Sequence, residues 1–204
     1  MLTDRQLADL TAVFCRGSDD ASLALSRWLG RPARIALEQV EQVPLSEATA
    51  VLGEGEGPVC FCAMELKGRL TGELILAFDD ASGLALADLL LDRPVGTASR
   101  WGEVEQSAGL ETANIIGCAY LNALARSFHS GDGAEVELLP SPPRFMRDFP
   151  ASLMEFALMN QAIVSEVAFL TRTEFHIEAA PVDCNLLLVP DAESLNALRE
   201  LLPE

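Results

Sequence analysis

Basic side chains are scarce in this sequence: 14 lysines and arginines face 31 acids, for a formal net charge of −17. A nucleic-acid ligand is excluded on that ground, since a phosphate backbone needs a basic face. Anionic membrane surfaces are disfavoured in the same way. Long apolar runs are missing too. LALADLLL is interrupted by Asp88 and NLLLV is short, both far below the roughly 20 residues of a membrane-spanning helix. No basic, apolar and small-residue leader opens the chain, so the protein is expected in the cytoplasm. Histidine occurs only at His129 and His176, and no glycine-rich phosphate loop is present. No metal site, cofactor site or nucleophilic triad of the chain's own is therefore visible. The five cysteines, Cys15, Cys60, Cys62, Cys118 and Cys184, are odd in number and scattered, which is not a disulfide framework. Cys60 and Cys62 alternate along a predicted strand and read as small buried hydrophobes.

What the sequence does have is apolar substance. Half of its 204 residues are hydrophobic and the mean hydropathy is +0.22, enough to build one domain over 1–204 with a sizeable core. The pattern of apolar residues and breakers predicts a helix over 4–29, with Gly17 and Ser18-Asp19-Asp20 as a kink or split. It then predicts a strand over 33–44, a short helix over 45–52, a glycine-rich turn, and strands over 58–66 and 70–78. An aspartate-capped helix runs through Leu90, and RPVGTASR reads as a linker. A long helix over 101–128 opens the second half. The polar loop HSGDGAE, a short strand EVELLP and a break at Pro140, Pro142 and Pro143 come next. A helix over about 150–159, strands near 161–178 and 182–189, and a closing helix capped near Asp191 complete the chain.

The halves share more than this order. Asp80-Ala81 and Leu84 match Asp191-Ala192 and Leu195, and Ala24-Leu25 matches Ala123-Leu124. Such self-similarity implies two copies of one unit, about 4–92 and about 101–202, packed around a pseudo-two-fold axis. The expected class is α+β: an antiparallel sheet covered by long helices. Internal symmetry supplies what shorter chains reach by pairing, so a monomer is expected.

One stretch carries polar residues that packing does not explain. In WGEVEQSAGLETANIIGCAYLNALARSF, apolar positions at Leu110, Ala113, Ile116, Tyr120, Leu121 and Leu124 give a helix one buried side. Ser107, Glu111 and Asn114 then share an arc of roughly 60° over about 10 Å of helix axis. A hydroxyl, a carboxylate and a carboxamide thus line one ridge. The offset that joins Ala24 to Ala123 carries these three positions onto Ala8, Ala12 and Cys15, where every polar group is missing. The chain reads as having one site and one blank.

The run ETANIIGCAYLNALA, followed by LLPSPP, resembles the CheC family of bacterial chemotaxis phosphatases. That family includes CheX and FliY, and its fold recurs in the middle domain of the flagellar switch protein FliM. Its motif is an acidic or serine residue, a glutamate four positions on, an asparagine three further and a proline well downstream. Ser107, Glu111 and Asn114 fill the first three places. Pro143 fills the fourth, later than the family spacing, with the HSGDGAE loop accounting for the excess. LALSRWLGRPARIALEQVEQVPLSEA is similar to the family's first repeat, which often has its own Glu and Asn; Ala12 and Cys15 depart from it.

The resemblance implies a substrate, the aspartyl phosphate of a CheY-like receiver domain. It implies Asn114 as the residue orienting the attacking water and Glu111 as the partner of a receiver lysine, with Ser107 and Pro143 supporting. No cofactor of the chain's own is implied, because Mg²⁺ belongs to the receiver. CheD is a further partner that family members bind. A reading of another class stands beside this one: a non-catalytic docking module, like the switch-protein relatives, binding a receiver or another signalling protein through the same face.

Overall fold

A computed structural model of the chain describes residues 1–44, 47, 57–127, 137–150, 152, 167–177 and 180–202. Nearly all of the expected helix over 45–52, the HSGDGAE loop, nearly all of the expected helix over 150–159 and the start of the strand expected from 161 lie outside the described residues. The elements run α1 (Asp4–Leu29), β1 (Ala33–Pro44), β2 (Val59–Gly68), β3 (Gly72–Asp79), α2 (Asp80–Leu90), α3 (Glu103–Ser127), β4 (Leu138–Pro140), β5 (Arg144–Asp148), β6 (Val167–Ile177), β7 (Ala180–Pro190) and α4 (Ala192–Leu201). The class is α+β, and every strand pairing is antiparallel.

The two long helices start in the same manner. Thr3 caps α1 through its hydroxyl, and the Gln6 side chain reaches back to accept from the Thr3 amide at 3.1 Å. At α3, Glu105 accepts from the Gly102 amide at 3.1 Å. Each glutamine or glutamate thus satisfies a donor that the helix itself leaves free. Gly30, at φ 67°, ends α1 in the left-handed conformation that glycine adopts without a steric penalty. The short helices share a D-x-x-S cap, with Asp79 accepting from the Ser82 amide and Asp191 from the Ser194 amide. These caps make Asp79 the counterpart of Asp191, one residue out of step with the match read from sequence.

Contrary to the expected kink, α1 is continuous through Gly17 and Ser18. The reason lies in α3: Tyr120 is packed against Gly17, and its hydroxyl is 2.5 Å from the Ser18 hydroxyl. The small and polar residues fit a neighbouring ring; they do not break the helix. Phe14 packs on the same ring at 5.3 Å between centroids, and burying such side chains contributes about 1.5–3 kcal/mol each.

The strand order is β1-β6-β7-β3-β2, with β4 and β5 both on the outer side of β2. Exchanging β1 with β5, β2 with β6 and β3 with β7 returns the same order. β2 and β3 are buried on both faces, which is why they read as continuous apolar runs and not as alternating ones. Cys60, Cys62 and Met64 face the long helices, while Phe61, Ala63, Ile75 and Leu187 join a second cluster on the opposite face. β1 lies at the sheet's edge, where open amides invite pairing with other chains. Hydroxyls of α1 occupy those amides: Ala33 donates to Ser26 at 2.9 Å, Ile35 to Ser22 at 2.8 Å and Val40 to Thr11 at 3.1 Å.

β5 was not expected from the sequence. The prolines do interrupt the strand as read, but pairing with β2 resumes at Arg144. Nor is the segment 93–100 a free linker. The carboxylate of Asp88, fully buried, accepts from the amides of Gly96 at 2.9 Å, Thr97 at 2.8 Å and Ala98 at 3.0 Å.

Candidate functional site

Helix α3 buries Ala108, Thr112, Ala113, Ile116 and Tyr120 against the sheet and α1. Thr112, polar but fully buried, turns its hydroxyl back to the Ala108 carbonyl at 2.9 Å. The opposite side is left to solvent. Ser107 and Glu111 are exposed there, and Asn114 is half-buried. The structure therefore brings these three onto one accessible ridge. Pro143 stands on a different element, half-exposed in the three-residue break between β4 and β5. Both of those strands pack on α3.

Glu111 makes no ion pair or hydrogen bond with any described residue. Asn114 has one weak contact, accepting from the Cys118 thiol at 3.8 Å, and its amide nitrogen has no described partner. Burial, and then the nearby Glu111 carboxylate, push the Cys118 thiol pKa up. Among the described residues, no group of three or more His, Cys, Asp or Glu side chains could hold a metal ion. All five cysteines are free; Cys60, Cys62 and Cys184 are buried, and burial pushes Cys62 up to about 12.

The corresponding stretch of α1 has the same profile of exposure. Ala8 and Ala12 are exposed and Cys15 is half-buried, as are Ser107, Glu111 and Asn114 in turn. The pattern of exposure is repeated there without the polar groups.

The break holding Pro143 is fixed on both sides. Ser141 donates its amide to the Glu65 carbonyl at 2.8 Å and accepts the Glu65 amide on its hydroxyl at 3.0 Å. Arg144 pairs with the buried Glu73 at 3.0 Å. Desolvation raises the Glu73 pKa, with Arg144 opposing it, and one of its carboxylate oxygens has no partner.

One cluster near the ridge was not singled out by sequence. Asp80, in the first turn of α2, accepts from the Trp101 indole at 3.0 Å, from Arg147 Nε at 2.8 Å and from the Cys60 thiol at 3.4 Å. Its second oxygen takes the Arg147 Nη2. Hydrogen bonds from Arg147 first, opposed by burial and aided by Trp101 and Cys60, hold its carboxyl below the usual range. Trp101 lies nearly parallel to Phe78 at 6.1 Å and tilted on Phe145 at 4.8 Å. The available signal was the pair of aspartates at 79 and 80, since a cap needs only one.

No family model matches the chain. Solved structures do resemble it. Thermotoga maritima FliY superposes with a TM-score of 0.79 at 18% identity, covering 98% of this chain and 97% of that one. The FliM middle domain from H. pylori gives 0.68 at 12% identity, covering 97% and 98%. The structure of the FliM–SpeE complex from H. pylori gives 0.67 at 16% identity, covering 98% of each. At such identities the likeness establishes the fold. No helix among the described residues is long and apolar enough to cross a membrane.

Proposed function

We propose that this chain, which has the CheC-like fold of FliY and the FliM middle domain, hydrolyses the aspartyl phosphate of a CheY-type response regulator. The observation that carries the reading is the ridge: a carboxylate and a carboxamide one turn apart, accessible and, among the described residues, held only by the weak Cys118 contact to Asn114.

The chemistry suits those two groups. An acyl phosphate passes to water through a loose transition state, so holding the nucleophile in line is most of what a catalyst adds. Early deprotonation of the water is not required. Asn114 accepts and donates hydrogen bonds, and so fixes a water without taking its proton. A helix ridge, unlike a pocket, can enter another protein's active site. Glu111 would meet the receiver lysine that otherwise pairs with the phosphorylated carboxylate. That charge-assisted contact, desolvated on docking, sets the register. Ser107 and Pro143 flank the contact. Mg²⁺ comes with the receiver, and the negative charge of this chain is no obstacle when the phosphate is already neutralised there. The duplicated unit around Ala12 and Cys15 would be the degenerate copy.

A docking module without catalysis is the second reading. It is favoured by the resemblance in fold to FliM as well, which has been crystallised in complexes with SpeE and FliG. Mixing the purified chain with phosphorylated receiver and following phosphate release separates the two. Faster loss supports the phosphatase; binding with an unchanged rate supports the docking module.

A further inference from the structure

The residues assigned to the site come from two segments distant in sequence: α3, which carries Ser107, Glu111 and Asn114, and the stretch 141–148, which begins with the Pro143 break and continues as β5. The two segments meet at one carboxylate. Trp101, just before α3, and Arg147, on β5, both donate to Asp80 Oδ1, at 3.0 and 2.8 Å. The Trp101 ring also packs on Phe145, and on Gly109 two residues before Glu111. A one-residue movement of either segment would break at least one of these contacts.

The opposite end of the fold supplies a comparison. The caps equate Asp79 with Asp191, so the place of Asp80 falls to Ala192. The offset between the long helices puts Leu2 in the place of Trp101. The end whose helix lacks the polar ridge therefore lacks the carboxylate and the indole as well. If Asp80 served only to hold the fold together, the pseudo-symmetric end would need it equally, and that end is closed without it. Leu2 is buried there, and Gln6 ties α1 to the Arg199 carbonyl of α4 at 2.9 Å.

We infer that Asp80 is a positioning residue of the α3 site, holding the ridge and the Pro143 segment in fixed relation through Trp101 and Arg147. The inference rests on the phosphatase reading for its kinetic consequence but has a structural consequence of its own. In-line attack tolerates little displacement, so loosening the relation lowers turnover more than affinity.

The test uses the full chain with Asp80→Asn and, as a milder change that keeps an aromatic ring but removes the indole donor, Trp101→Phe. With phosphorylated receiver, both variants are expected to lower kcat about tenfold or more while KM stays within about twofold. Amide hydrogen exchange without receiver is expected to quicken roughly tenfold in 103–111 and 144–148 but not in 4–12. Wild-type kinetics in both variants, or exchange that changes equally in α1 and α3, overturns the inference. A wild-type chain that never accelerates phosphate loss contradicts the catalytic reading alone. The inference is then decided by exchange, and local quickening at 103–111 and 144–148 supports it.

Discussion

Cys15 holds on α1 the place that Asn114 holds on α3. Both are half-buried, each three residues beyond an exposed position, Ala12 in one case and Glu111 in the other. The side chains of Gln6 and Glu105, reaching back to accept from the Thr3 and Gly102 amides, set the two helices in the same register. One surface offers a carboxamide beside a carboxylate, and its counterpart offers a thiol beside a methyl group.

Thiol chemistry distinguishes the two surfaces. Cys118 lies one turn from Asn114, within 3.8 Å of its side-chain oxygen. An alkylating group there would cover the ridge. In a Cys15→Ser background, modifying Cys118 is expected to abolish accelerated phosphate release. In a Cys118→Ser background, modifying Cys15 should leave it intact. Peptide mass mapping assigns the label, and equal inhibition from both sites would contradict a single ridge.

Gly17 is set by the Tyr120 ring. A Cβ at position 17 would come within 2.7 Å of the ring and 3.1 Å of the Tyr120 backbone. Alanine gains about 1 kcal/mol in helix propensity over glycine, but overpacking a filled core costs about 1–3 kcal/mol. Tyr120 is buried and fixed to Ser18, so the packing cost wins. Gly17→Ala is expected to lower the urea midpoint, and a rise would mean that the two helices separate easily here.

Two carboxylates give opposite pH signatures. The pKa of Asp80 is lowered, chiefly by Arg147. Its contribution is present above the unfolded-state pKa and is lost as pH falls through the folded one. Wild type should therefore lose stability relative to Asp80→Asn on acidification. The pKa of Glu73 is raised, chiefly by burial. Its contribution is full below the unfolded-state pKa and is lost as pH rises through the higher folded value, so wild type should gain on Glu73→Gln as pH falls through that window. Urea midpoints of the three proteins from neutral to acid pH check both signs, and parallel trends would contradict the assignment.

The long helices, β1, the paired central strands and the aspartate caps were legible because their signals are local: periodicity, breakers and cap residues. The ridge was legible for the same reason, since three positions on one helix need no tertiary knowledge. β5 was not. RFMRD is short and charged, and it is a strand because Arg144 finds Glu73 on one face and Arg147 finds Asp80 on the other. The continuity of α1 and the pinning of 93–100 escaped in the same way, because Tyr120 and Asp88 decide them from outside the segment.

The most direct test of the account is the effect of Asn114→Ala on dephosphorylation of the receiver. Release of phosphate from a phosphorylated CheY-type receiver should be accelerated by the wild-type chain and fall to the receiver's own rate with the variant. Binding of the receiver should survive this change but weaken in Glu111→Lys. An Asn114→Ala variant that turns over as fast as wild type would contradict the role given to the carboxamide.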